Sequence, residues 1–300
     1  LLVEQFPHWA GLPVRPVRSS GTDNALYRLG DDLLVRLPRI DWAVGQVDRD
    51  LRWLPQLAPR LPLTIPEPLA GGAPGAGYPW RWGIYRWLDG RDGTSVTLTD
   101  PMVGTSTGSV PGTTRVDLVQ AAVDLAQFLV ALQRIDPAGG PRADEHGLRG
   151  VPLATRDEDV RAAIAALDGL IDTDAALAAW EAALDVPDWN QEPVWFHGDV
   201  LPGNLLFKNG RLSAVIDFAG AGVGDPAPDL MIAWNLFSGA SREAFRSTLA
   251  IDDATWARGC GHALAQALIF IPYYLYTNPV GVAVARHAVD EVLSDWRNSR

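Results

Sequence analysis

Asp199 follows His197-Gly198, Asn204 comes five residues later, and a second acid, Asp217, lies in Ile216-Asp217-Phe218. Between them, Leu205-Leu206-Phe207 and the pair Asn209-Gly210 read as a strand that turns back on itself. Asp217 would then return to the end of the hairpin from which Asp199 and Asn204 set out, and three oxygen-bearing side chains would converge. Such a set suits Mg2+, which takes one or two protein carboxylates and completes its shell with phosphate oxygens and water. An Asp left off the metal can accept a proton from an alcohol. Two other readings use the same residues: a capped turn ahead of a hairpin, without chemistry, and a hydrolytic metal site built on His197. Against the second, the five His of the chain include no pair at i, i+4 spacing.

Holding these residues requires elements on both sides of them. Pro193 to Phe218 reads as a strand, a polar loop and the hairpin, and it is the exception in a region otherwise patterned as helices. Those helices are expected over Val116 to Ile135, Glu158 to Leu170, Asp174 to Leu184, Asp229 to Phe237, Ser241 to Leu249 and from Asp253 onward. The beginning of the chain reads differently. Val14 to Val17, Ala25 to Leu29 and Leu33 to Leu37 are short apolar runs separated by the polar tip Ser19 to Asn24 and by Gly30-Asp31-Asp32, which predicts three antiparallel strands. A helix is expected over Trp42 to Leu57, with Val44, Val47, Leu51 and Leu54 on its apolar face, and further strands near Glu67 to Ala70 and Trp80 to Trp87. Trp80, Trp82 and Trp87 are expected in the core rather than stacked on a ligand. Gly90 to Thr114 is rich in Gly, Ser and Thr without periodicity and is read as the join between two lobes.

Composition narrows the function. With 300 residues, 47% hydrophobic and 20% charged, the chain is long enough for one large domain or two lobes and is neither disordered nor fibrous. A net charge of −11 argues against nucleic acid, which needs concentrated Lys and Arg. The charge is uneven: residues 1–90 hold ten Arg against nine acids, net +1, leaving 15 basic and 27 acidic residues afterwards, net −12. Such an acidic region suits a cationic or metal-chelated small substrate. Cys260 is the single cysteine, which forbids an internal disulfide and points to the reducing cytoplasm. Leu1 to Ala10 lacks the pattern of a signal peptide, so export is not expected. Gly259 to Ala285 carries no Lys, Arg, Asp or Glu, but Pro272 and Asn278-Pro279 interrupt it, and it is read as two buried helices rather than a membrane span.

The run His197-Gly198-Asp199-x4-Asn204 resembles the H-x-D-x-x-x-x-N catalytic loop of kinases. Taken with Ile216-Asp217-Phe218 and Gly224-Asp225-Pro226-Ala227-x-Asp229-Leu230, the chain is similar over almost its whole length to the aminoglycoside phosphotransferase family of antibiotic and other small-molecule kinases. The resemblance implies an α+β, bilobal protein-kinase-like fold. Residues 1–88 would form a small nucleotide-binding lobe with an antiparallel sheet, and residues 89–300 a larger, mainly helical catalytic and substrate-binding lobe. It implies Asp199 as catalytic base, Asn204 and Asp217 as Mg2+ ligands, and Asp225 and Asp229 as structural acids. The last two also read, from sequence alone, as helix-start residues. Ser20 and Asn24 would belong to a phosphate-covering hairpin tip.

The chain departs from the family at the third strand, where a phosphate-binding lysine is expected and Arg36 stands; Lys208 is the only lysine present. The acid that pairs with this cation would be Asp50, with Asp48 as a rival. In the hinge Gly83 to Gly90, the backbone of Arg86 and Leu88 would meet the purine ring. The implied reaction moves the γ-phosphoryl group of ATP or GTP to a hydroxyl of a small molecule, an aminoglycoside-like or other antibiotic, with no nucleic-acid or membrane partner. Alternatives are a metabolite kinase of choline or homoserine type, and a nucleotide-binding pseudokinase favoured by the Arg36 departure.

Overall fold

Leu33 and Val35 alternate with Leu34 and Arg36, and the period of two sorts them to opposite faces of a strand. In the computed structural model, which describes residues 1–17, 23–99, 115–143 and 150–298, Leu33 and Val35 join Leu29, Trp82 and Ile84 in a small apolar core. Helix α1 (Leu2–Gln5) and the residues on either side of it cover this core with Leu1, Leu2, Phe6 and Trp9. The sheet comprises β1 (Val14–Pro16), β2 (Asn24–Leu29), β3 (Leu33–Pro38), β4 (Pro68–Gly72) and β5 (Trp82–Arg86), antiparallel in the order β1-β2-β3-β5-β4. Register places Arg36 between Leu26 of β2 and Gly83 of β5, on the face opposite the small core. Trp82 is wholly buried, as expected, whereas Trp80 and Trp87 are only partly covered.

Helix α2 (Gln46–Leu57) packs against that second face. Its expected start at Trp42 is corrected by Gly45: Asp41–Ala43 forms a separate 3-10 turn, and Gly45 breaks the path with φ 88° before α2 begins. The buried positions Gln46, Asp50, Leu54 and Leu57 recur at helical spacing, so one stripe carries two polar residues toward β3 and two apolar ones onward. Leu54 and Leu57, with Ile65, belong to the large core rather than the small one.

The rest of the chain packs helices around a short hairpin. Strand β6 (Arg91–Asp92) lies along that hairpin, and β7 (Thr97–Thr99) pairs in parallel with β8 (Arg115–Asp117) ahead of α3 (Leu118–Gln133). The expected helix from Val116 thus starts two residues later, because Asp117 caps it by accepting the Gln120 N–H at 3.1 Å. Helices α4 (Asp157–Ala166) and α5 (Thr173–Leu184) precede β9 (Val194–Phe196), β10 (Leu205–Lys208), β11 (Arg211–Val215) and β12 (Gly222–Gly224). Then come α6 (Ile232–Asn235), α7 (Gly239–Leu249), α8 (Asp253–Tyr274) and α9 (Pro279–Asn298). The helix expected over Asp229 to Phe237 is instead a 3-10 turn, Ala227–Met231, followed by the short α6. Pro272 does not break α8; it lies in the last turn, near the helix end, and Asn278-Pro279 makes the turn into α9. Among the described residues no helix is long and apolar enough to cross a membrane.

Candidate active site

The hairpin β10–β11 turns through Asn209 and Gly210, both at positive φ, with Lys208 paired to Arg211. The two-residue turn sets Phe207 opposite Leu212, and a one-residue bulge between Leu206 and Phe207 then shifts the pairing, so Leu205 faces Val215 and the Ile216 N–H donates to Asn204 O at 2.9 Å. Asn204 and Asp217 therefore lie at the same end of the hairpin. Asn204 Nδ2 reaches back to Asp199, donating to its backbone O at 2.9 Å and to Oδ2 at 3.0 Å. With the amide nitrogen turned to Asp199, the Asn204 Oδ1 is the atom left to serve as a metal donor.

The turn before Asp199 is held from below. His197 is fully buried; its Nδ1 accepts the Asp199 N–H at 3.2 Å, so its Nε2 carries the proton and donates to Ile216 O at 3.1 Å. Asp229, also fully buried, accepts the backbone N–H groups of His197 at 2.9 Å and Gly198 at 2.6 Å. Its sequence reading as a helix-start residue is corrected here, because the carboxylate turns to this loop rather than to its own turn. Asp225 does keep a local role, accepting the Ala227 N–H at 3.0 Å, and forms a buried ion pair with Arg258 at 2.8 Å. Gly198 has φ 79°, and a Cβ there would stand 2.4 Å from Gly220 O, so only glycine fits between the loop and its neighbour.

Arg36 reaches this end from the sheet. Its Nη2 donates to Asp217 Oδ1 at 3.0 Å, and its Nη1 stands 3.7 Å from Asp50 Oδ2. Asp48 pairs instead with Arg81 at 2.9 Å on the surface. Asp50 also accepts the Tyr85 hydroxyl at 2.8 Å. Gly83 makes this possible, since a Cβ there would collide with the Tyr85 ring at 2.4 Å. With its carboxamide oxygen toward β3, Asn24 accepts from Arg36 Nη2 at 3.0 Å and Nε at 3.1 Å. Burial alone would lower the Arg36 guanidinium, but Asp217 and Asp50 hold it above its ordinary value. Burial pushes Asp50 up to about 6 against the opposing pull of Arg36 and Tyr85. Burial also opposes ionisation of Asp217, yet Arg36 keeps its carboxyl below the usual range.

One residue of this cluster escaped the sequence reading. Gln46, 2% exposed, accepts from Arg36 Nη2 through Oε1 at 2.9 Å and turns Nε2 to Asp217 Oδ1 at 3.5 Å. The only signal for it was its place one helical turn ahead of Asp50. Ser20 lies outside the described residues. In the hinge, the Arg86 N–H donates to Glu67 O at 2.9 Å and its side chain pairs with Glu67, while the Leu88 N–H meets no acceptor among the described residues. Among the described residues no group of three or more His, Cys, Asp and Glu converges as a metal cage. The oxygen donors at this end of the hairpin are Asn204 and Asp217, with Asp199 beside Asn204, which fits an ion that takes most of its shell from phosphate and water.

This combination of sheet, α2 and loop-hairpin recurs in known proteins. No curated protein sequence matches the chain. Among solved structures it is similar to the GDP and kanamycin complex of APH(2")-IIia, with TM-score 0.69 and 17% identity, covering 100% of this chain and 98% of that one. It is similar to ADP-bound aminoglycoside phosphotransferase APH(2'')-Ib, with TM-score 0.60, 19% identity and coverages of 97% and 96%. The macrolide 2'-phosphotransferase MphH from Brachybacterium faecium matches with TM-score 0.59 and 25% identity, over 94% of this chain and 92% of that one. These likenesses establish the kinase-like α+β fold. The family model described as "Phosphotransferase enzyme family" matches residues 14–262, from β1 through the β10–β11 hairpin into α8, so the protein belongs to the phosphotransferase enzyme family and is a kinase of small molecules.

Proposed function

We propose that this protein transfers the γ-phosphoryl group of ATP or GTP to a hydroxyl of an antibiotic-like small molecule. The observation that carries the reading is the meeting of Asp199, Asn204 and Asp217 at one end of the β10–β11 hairpin, with Arg36 brought to Asp217 at 3.0 Å from the opposite sheet. In this reading the acceptor oxygen attacks the γ-phosphorus, the bond to the β-phosphate oxygen breaks, and the nucleoside diphosphate leaves with that electron pair. The hydroxyl proton passes to the Asp199 carboxylate, which Asn204 Nδ2 orients through Oδ2. Asn204 Oδ1 and Asp217 would hold Mg2+, whose chemistry is to neutralise charge on the phosphates. Arg36, braced by Asp50, supplies positive charge for the phosphate oxygens, and Asn24 and Ser20 belong to the covering hairpin. The Leu88 backbone N–H is offered to the purine, whereas the Arg86 N–H expected beside it is taken by Glu67 O, and the lobe boundary falls after Leu88. GDP in one similar structure and ADP in another support a purine nucleotide of either kind.

For the acceptor, the macrolide enzyme at 25% identity and the kanamycin complex both support an antibiotic hydroxyl. The net −12 of residues 91–300 favours a cationic acceptor, which both classes supply through their amines. The cytoplasm, where the triphosphate is abundant, is the compartment this activity requires. The deciding experiment incubates the protein with Mg-ATP or Mg-GTP and a panel of aminoglycosides, macrolides, choline and homoserine, and reads a mass gain of one phosphoryl group. Transfer to an antibiotic, lost in Asp199→Asn, is expected. Transfer only to choline or homoserine would replace the acceptor class, and nucleotide binding without turnover on any acceptor would replace catalysis with a sensing role.

A further inference from the structure

Arg36 is surrounded by more acceptors than its facing nitrogen has hydrogens. Nη2 carries two, yet Asn24 at 3.0 Å, Gln46 Oε1 at 2.9 Å and Asp217 Oδ1 at 3.0 Å all face it. One hydrogen, together with Nε–H, is directed to Asn24 in the fork geometry of a guanidinium. The other is shared by Gln46 and Asp217. Gln46 then closes the ring by aiming its own Nε2 at the same Asp217 oxygen, at 3.5 Å.

The location of Gln46 makes a merely local role a poor account of it. It is the first residue of α2, directly after the N-cap position from which a polar side chain ordinarily satisfies the free N–H groups of the helix. Here the N-cap is Gly45, no side chain caps α2, and the Gln46 amide is buried and directed across to β3 and to the hairpin. Its dipole is matched to what it touches: the carbonyl faces the cation and the amino group faces the anion. A glutamate in this position would add a third carboxylate around one guanidinium, beside Asp50 and Asp217. An apolar residue would leave the shared hydrogen to Asp217 alone.

We propose that Gln46 is a positioning residue of the phosphotransferase site, which sets the orientation of Arg36 toward the nucleotide phosphates and keeps Asp217 in register with it. The inference rests on the reading of Arg36 as the phosphate contact and goes beyond it, because it assigns the control of that contact to α2 through an uncharged amide. Gln46 acts through Arg36, so its effect must vanish where Arg36 is absent.

A double-mutant cycle on nucleotide binding tests this, with affinities for Mg-ADP and for metal-free ADP measured by titration calorimetry on wild type, Gln46→Leu, Arg36→Ala and the double variant. Gln46→Leu keeps the volume and removes both hydrogen bonds; Gln46→Met serves in its place if the branched side chain unfolds the protein. Loss of a hydrogen bond to a charged group predicts a weakening of about 10- to 100-fold for Gln46→Leu. The double variant should bind within about twofold of Arg36→Ala, since neighbours that act as a unit are not additive. In turnover, KM for the nucleotide should rise while KM for the acceptor stays unchanged. Wild-type affinity in Gln46→Leu alongside weakened Arg36→Ala would overturn the proposal, as would losses that multiply in the double variant. Wild-type affinity in Arg36→Ala would instead overturn the reading of Arg36 itself.

Discussion

Replacing Asp229 with asparagine removes one of the two carboxylate oxygens that hold the backbone in front of Asp199. Those oxygens accept the His197 N–H at 2.9 Å and the Gly198 N–H at 2.6 Å, and the side chain is wholly buried, so water cannot take over either bond. Asparagine keeps one acceptor and sets an NH2 group against the remaining N–H. Loss of a charge-assisted hydrogen bond with a buried donor left unmatched gives a destabilisation of about 2–4 kcal/mol. Alanine removes both acceptors, for about 3–6 kcal/mol. In a chain of 300 residues the asparagine variant should melt about 3–6 °C lower. The effect on chemistry follows from distance along the chain, because Gly198 N is one peptide from Asp199 and its displacement moves the carboxylate. A misplacement approaching 1 Å is expected to lower kcat by about 100-fold, with nucleotide affinity held by the separate cluster around Arg36. Thermal denaturation and turnover of Asp229→Asn and Asp229→Ala, each with Mg-ADP titration, read the three quantities. An asparagine variant with wild-type melting temperature and kcat would refute the claim that Asp229 holds the catalytic loop.

Further outcomes can be checked on the same protein. Asp217→Ala should abolish the part of nucleotide-induced thermal stabilisation that depends on Mg2+, and equal Mg2+-dependent shifts in both proteins would remove Asp217 from the site. Asp50 has its carboxyl raised by burial from the ordinary 3.8 to about 6, so the folded state holds this proton more tightly than the unfolded chain and stability falls as pH rises through about 6, by about 3 kcal/mol in all. Asp50→Asn should flatten the stability profile between about pH 4 and 7, and an unchanged slope in denaturant titrations would contradict this assignment. Asp225→Ala strands the buried Arg258 and should lose about 3–5 kcal/mol, with part regained on adding Arg258→Met; full stability of the single variant in urea would contradict the pair's role. Arg36→Lys keeps the charge but cannot span Asn24, Gln46 and Asp217 together, so its Mg-ADP affinity should fall closer to Arg36→Ala than to wild type, while Arg15→Ala and Arg60→Ala bind normally.

What the sequence determined by itself is whatever depends on neighbours along the chain. Alternation around Leu33 to Leu37, the Asn209-Gly210 turn and the spacing from Asp199 to Asn204 to Asp217 are local patterns, and each gives the corresponding element directly. The α+β division, with strands early and helices late, follows from the same periodicities. The limits of helices were less legible, because Gly45 and Asp117 act through backbone geometry and capping that periodicity does not record. Tertiary structure alone decided the partners. Asp48 and Asp50 are equivalent as sequence; the stripe of α2 buried against β3 turns Asp50 to Arg36 and leaves Asp48 outside with Arg81. Asp229 reads as a helix start, and only the packing of its turn beneath the catalytic loop, across 32 positions, brings its carboxylate to the His197 N–H. Gln46 carries no chemistry of its own, and it acquires a place in the site because α2, β3 and the hairpin meet there, bringing Arg36 to Asp217 across 181 positions. Local patterns fix which way a side chain faces within its own element; what it meets depends on how separate elements pack, and that is set by the burial of apolar faces far apart in the chain.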